Sequence, residues 1–200
     1  MKANAPGQAK KSTRQQPDSG NHFARLLSIV DLGHQPAFQG QGWEKKDRYE
    51  LELTYELSDL KMEDGRPFVI SETIPRNAFF DTKSGKCSTL VARARSFLGA
   101  DFEQGLQDVK LFIGKACMVS VVPKPSNADA RKIDGQAGVG SCPASVSPAE
   151  LHNAPFVFDL ENPDMDIWET FLDWKKERIQ EALNYNETAL AKNLAEEGEF

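Results

Sequence analysis

The sequence predicts a mainly β fold: a five-stranded Greek-key barrel with one helix between its third and fourth strands, then a C-terminal helix and an acidic tail. Three stretches carry this expectation. Residues 48–57 alternate without a fault, with Tyr49, Leu51, Leu53, Tyr55 and Leu57 on one side and Arg48, Glu50, Glu52, Thr54 and Glu56 on the other. Period-two alternation of this length means a strand with one buried and one polar face. Between Asp81 and Gly99 the period becomes helical, with Leu90, Val91, Ala94, Phe97 and Leu98 recurring on one side and Gly99 as the stop. At Asn162-Pro163-Asp164 a capping residue, a proline and an acid open a second helical pattern.

Taken in order, residues 1–21 are rich in Gln, Ser, Lys and Pro, and Lys2, Lys10, Lys11 and Arg14 oppose only Asp18. This composition predicts a disordered basic arm, serving either as a solubilising leader or as a DNA contact. The β-branched run Phe23–Leu32 predicts a buried first strand, and a glycine-rich loop follows from Gly33 to the start of the alternating strand. A polar turn containing Asp64-Gly65 joins that strand to the β-branched run Phe68–Ile74, which makes a long antiparallel hairpin. After the helix come a short element over Val109–Ile113, a buried strand over Ala116–Val122 and a last strand over Arg131–Val139.

Strand, strand, strand, helix, strand, strand is the element order of an OB-fold, expected here over residues 22–160. Over 161–186 one helix is expected, with Ile167, Trp168, Phe171, Leu172, Trp174, Ile179, Ala182 and Leu183 forming a broad buried stripe. That stripe faces either the barrel or a partner chain, a second copy included. Residues 187–200 read as an acidic tail ending in Phe200.

Composition narrows the class. With 40% hydrophobic and 27% charged residues in 200, this is the balance of an ordinary globular protein. No apolar run reaches the roughly 20 residues of a membrane span. The N-terminus lacks the apolar core of a secretory signal, and Cys87, Cys117 and Cys142 stand far apart, so a reducing cytoplasm is expected. The net charge of −6 hides an asymmetry: residues 159–200 hold twelve acids against four bases, which leaves a mildly basic body with an acidic end. Opposite charges at opposite ends concern partners more than fold.

Catalytic patterns are missing from the sequence. His22, His34 and His152 have no metal-ligand spacing, and Gly85-Lys86 lacks both the upstream glycine and the following Ser/Thr of a phosphate loop. The expectation is a non-enzymatic protein without cofactor or metal. The positive signal is the loop after the first strand, where Phe38 and Trp43 stand beside Lys45, Lys46 and Arg48. Aromatic faces for bases and cations for phosphates are the two requirements of single-strand binding without base readout. Phe38 and Trp43 either stack on bases or plug the barrel end. Arg66, Arg76, Lys83, Arg93 and Arg95 extend the candidate track, and each is otherwise an ordinary surface charge. Glu50, Glu52 and Glu56 on the polar strand face direct the path toward the loops.

The run ARLLSIVDLGHQPAFQGQGWEKKDRYELELTYEL, with DGRPFVIS and the later STLVARARSFLG and LFIGKACMVSVV, resembles the single-stranded-DNA-binding proteins encoded by bacteriophages. The resemblance covers roughly residues 22–141, and the end AEEGEF is similar to the acidic, phenylalanine-terminated tails of such proteins. It implies an OB-fold that coats exposed strands during replication and recombination. It also implies that Glu196, Glu197, Glu199 and Phe200 recruit phage or host replication proteins such as a polymerase, helicase or nuclease. The alternative is a protein-interaction module, a barrel displaying the 167–183 helix as a docking face with no nucleic acid involved.

Overall fold

A computed structural model describes residues 15–37, 46–99 and 108–197. Its centre is one long strand, β1 (Gly20–Gln35), flanked from Ala24 to its end by β2 (Arg48–Lys61), with Ala24↔Leu57 and Gln35↔Arg48 as the outermost pairs. β2 returns antiparallel into β3 (Pro67–Pro75). In the turn between them Gly65 takes φ +83°, a left-handed conformation suited to glycine, and Asp64 Oδ1 accepts from Arg66 N at 3.1 Å.

On its other edge β1 pairs in succession with several segments. β4 (Ala116–Lys124) covers Gly20–Arg25, and β7 (Phe156–Phe158) runs parallel to Ser28–Val30. Further on, Leu183 N donates to His34 O at 2.8 Å and His34 N donates to Asn184 Oδ1 at 2.7 Å. β4 also pairs with β5 (Asn127–Ile133) and β6 (Val139–Ser141). The result is a seven-stranded, mainly antiparallel sheet in the order β3-β2-β1-β4-β5. No ladder joins β3 to β5 among the described residues, so the sheet is open.

β1 is bulged between Leu26 and Ser28 and between Asp31 and Gly33, and its residues are buried on both sides. Ala24, Leu26 and Ile29 join Leu51, Leu53, Tyr55 and Leu57 of β2 in the larger core. Helix α1 (Thr89–Leu98), capped by the Ser88 side chain on Val91 N, lays Leu90, Ala94 and Phe97 over that core. Val30 and Leu32 point the other way, into a second core built with Phe158, Leu160, Trp168, Phe171, Ile179 and Leu190. Gly33, at φ +77°, marks where the C-terminal segment crosses the strand: a Cβ there would lie 2.8 Å from Ala182 Cβ.

Several expectations change. The single helix over 161–186 is broken into α2 (Met165–Thr170) and α3 (Asp173–Gln180), because Phe171 and Leu172 are extended at ψ 140° and 149°. Asp164, not Asn162, caps α2, accepting from Asp166 N and Ile167 N. The break resets the phase, so Trp168, Phe171, Ile179 and Ala182 are buried while Leu172, Trp174 and Leu183 are exposed. The acidic end is folded as far as α4 (Ala189–Glu197), docked through buried Leu190 and partly buried Leu194. The fifth strand begins at Asn127 instead of Arg131 and is followed by a 3₁₀ turn and β6. Of the N-terminal arm, Pro17 is buried and Gly20 and Asn21 belong to β1. No described helix is long and apolar enough to cross a membrane.

Candidate functional site

The polar face of β2 is covered, contrary to the sequence expectation. Glu50, Glu52 and Glu56 are 7%, 5% and 3% exposed. Together they hold two parts of the C-terminal half, α3 and the segment at His152-Asn153. Glu50 accepts from Arg178 Nη2 at 2.7 Å, Glu52 pairs with Lys175 Nζ, and Glu56 accepts from His152 N and Asn153 Nδ2, both at 2.6 Å. Residues two apart on a strand share a face, as do residues three apart on a helix. Glu50 and Glu52 therefore meet Arg178 and Lys175 as a matched pair of rows. Burial of these carboxylates is tolerated because each has a cation or N–H donors in reach.

Anchored this way, α3 forms one wall of a groove of about 590 Å³ across the outer face of β1, β2 and β3. Its floor carries the hydroxyls of Ser28, Thr54 and Ser71 beside Leu27, Val69, Ile70 and the lysine-paired Glu52, and Thr54 Oγ1 lies 2.9 Å from Ser71 Oγ. Phe171, Trp174 and Lys175 stand on one side, Lys124 and Arg131 on the other, with Phe156 between the strands and the helix module. Lys175 Nζ sits 5.1 Å from the Phe171 ring centroid and 5.5 Å from that of Trp174. Arg131 Nε donates to Pro17 O at 3.1 Å, and Gln15 Oε1 accepts from Glu63 N, so residues 15–17 strap the groove from β5 to the β2–β3 turn.

A second groove of about 600 Å³ lies beyond Trp174, lined by Gln35, Lys46, Arg48, Thr73 and Arg178 together with Glu50, Glu177 and Glu181. Here lie two of the expected site residues, Arg48 at the start of β2 and Lys46 two residues before it. Arg48 Nη2 is 2.7 Å from Glu50 Oε1. Phe38, Trp43 and Lys45 lie outside the described residues.

The other candidates do not converge on these grooves. Arg66 pairs with Asp64 at 2.6 Å at the hairpin tip, and its guanidinium holds the Asp64 carboxyl below the usual range. Arg76 reaches Asp31 at 2.7 Å, and burial still raises the Asp31 carboxyl despite the Gly33 N–H and that arginine. Lys83 is exposed in the turn before α1. Arg95 lies over the Phe80 ring at 5.6 Å and lines a separate shallow cleft with Lys86 and Ser96. Arg93 is a correction: its side chain is fully buried, with Nε 2.7 Å from Glu72 Oε1, so it binds the fold together and cannot meet a ligand on the surface. Glu196 is exposed near the end of α4, and Glu199 and Phe200 lie outside the described residues.

Sequence reading missed Trp174, Lys175, Arg178, Lys124 and Arg131. A usable signal was present for the first three, since Trp174 is followed by Lys175, Lys176 and Arg178. That is the same aromatic-among-cations pattern that marks the loop after the first strand. On one unbroken helix Trp174 falls within the buried stripe, and only the break at Phe171-Leu172 turns it outward. No protein-family model matches this chain, and no curated protein or solved structure is significantly similar to it.

Proposed function

We propose that this protein binds single-stranded DNA without catalysis, coating it during phage replication and recombination, and that its acidic C-terminal end recruits replication proteins. The observation that carries this reading is the groove over β1–β3, which combines aromatic rings with Lys124, Arg131 and Lys175 above a mixed floor that includes the hydroxyls of Ser28, Thr54 and Ser71. Such a site offers π-faces to bases and cations to phosphates, with no array that would select one base. The connectivity agrees with an OB-like barrel: β1 pairs with both β2 and β4, α1 falls between β3 and β4, and β3 approaches β5 with Cα atoms within 8 Å. The resemblance of residues 22–141 to phage single-strand-binding proteins points the same way.

The test is a gel shift with oligo(dT) over a range of salt. Binding by counterion release weakens with salt, with a log–log slope of roughly −0.7 per phosphate neutralised on a single strand. Lys124 is exposed and lines the groove. Lys124→Ala should make the slope shallower by roughly 0.7 while weakening binding to all sequences alike. A wild-type protein that shifts no oligo(dT) at low salt overturns the reading. The protein-interaction module would then take its place, supported by Leu172, Trp174 and Leu183 at 65%, 51% and 56% exposure.

A further inference from the structure

The two grooves share a wall, and the shared residue is Trp174. On β3, Ser71 lines the first groove and Thr73 the second. Residues two apart on a strand point to the same face and lie roughly 6.6 Å apart, so the floors of the two grooves form one continuous surface. On β2, Glu52 and Glu50 repeat the same step. Arg178 Nη1 reaches Thr73 Oγ1 at 3.5 Å, which ties α3 to the second floor as Lys175 ties it to the first.

We propose that a bound DNA strand continues from the first groove into the second, and that Trp174 at the junction is a base-stacking residue supplied by the C-terminal module. This rests on the single-strand-binding reading above. Trp174 is half exposed, whereas Trp168 of the same module is 2% exposed inside the second core. The helix that carries it is pinned one and four residues after the ring, where Lys175 and Arg178 pair with the buried carboxylates of Glu52 and Glu50. A ring carried on a helix held in this way costs less to order when a base stacks on it than one on a loose segment. Cations stand on both sides: Lys124, Arg131 and Lys175 in the first groove, Lys46, Arg48 and Arg178 in the second. The acids of the second groove, Glu50, Glu177 and Glu181, balance its cations. The phosphates are therefore held chiefly in the first groove, and the second receives the strand through the ring and the Thr73 hydroxyl. Glu50 and Glu52 are positioning residues for α3.

Tryptophan emission reports the contact directly. In a W43F background, oligo(dT) should quench the fluorescence of the exposed Trp174, while buried Trp168 stays unquenched. Trp174→Ala should weaken oligo(dT) binding roughly tenfold with an unchanged melting temperature, and Trp174→Phe should restore most of the loss. If wild type binds oligo(dT) but W43F shows no quenching and W174A binds equally well, the inference fails and the binding reading stands. If wild type binds no oligo(dT) at low salt, both fall together.

Discussion

The same chemical pairing, a basic side chain on a glutamate, occurs in two places with opposite consequences. Arg93 on α1 is completely enclosed, and its guanidinium grips Glu72 of β3 through Nε and Nη2, both at 2.7 Å, while Nη2 also donates to Gly135 O at 3.1 Å. Three segments are joined by one side chain. Lys175 and Arg178 on α3 also hold glutamates, but they keep 16% and 35% of their side-chain surface and line grooves. In the first case the cation is consumed by the fold. In the second the carboxylate is buried and the cation is presented, so the pair positions a charge that a phosphate can still reach. Residue type alone does not separate these cases; the side on which solvent is left does.

The largest effect should therefore come from Arg93→Ala. It leaves Glu72 without its charge partner inside the sheet–helix interface, and breaking a buried pair from one side costs about 3–5 kcal/mol. Urea denaturation should show a loss of that size. The double variant with Glu72→Leu should recover part of it, since no unpaired carboxylate then remains buried. The folded fraction of R93A should bind oligo(dT) with wild-type affinity. A drop in intrinsic affinity would mean that Arg93 does reach the ligand.

Lys175→Ala should do less to the fold and more to the ligand. The buried Glu52 carboxylate loses its partner beside a groove that water can enter, for a stability cost of about 1–3 kcal/mol. Oligo(dT) affinity should fall as well, with a shallower salt slope. If K175A weakens stability alone, α3 only packs on the sheet, and the contrast between the two kinds of pair disappears.

That contrast also explains what could be seen in the sequence. The hairpin was legible because period-two alternation is local, and Leu51, Leu53, Tyr55 and Leu57 all point into the larger core. α1 was legible from its apolar spacing and its glycine stop. The covered face of β2 was not, because the residues that cover Glu52 and Glu50 lie 123 and 128 positions away. A row of glutamates on a strand reads as solvated unless its cations are known to arrive from elsewhere. The break at Phe171-Leu172 was hidden for a different reason: neither residue is a glycine or proline, and Phe171 leaves the helical region as its ring packs against Phe158 at a centroid distance of 4.9 Å. Tertiary packing overrides local propensity there. Without the break, the phase of one continuous helix puts Trp174 inside; with it, Trp174 is half exposed. Arg93 reads as a surface charge because its partner is hidden: Glu72 is an acid on the inward face of β3, between Ile70 and Ile74, and no local pattern joins it to a helix residue 21 positions later.

The smallest effect belongs to the third member of the enclosed network. Tyr55 is fully buried, and its hydroxyl donates to Glu72 Oε1 at 2.6 Å. Burial first, and then the Glu72 charge, push its pKa well above the ordinary 10.0, while Arg93 opposes the shift. Above about pH 10 an unfolded chain releases this proton and the folded chain keeps it, so the native state binds more protons and stability falls as pH rises. The slope approaches about 1.4 kcal/mol per pH unit for one such group. Tyr55→Phe should cost about 1 kcal/mol near neutrality, because Glu72 keeps both contacts with Arg93 and no buried donor is stranded. As pH passes about 10, the difference between wild type and variant should shrink, since only the wild type carries the phenol. Cys117, which burial pushes up to about 12 from 9.0, adds a fall of the same sign, but it is present in both proteins and cancels in the comparison. Urea midpoints from about pH 9 to about pH 11 measure this convergence. Parallel curves over that range would show that the Tyr55 hydroxyl is not held in the enclosed network.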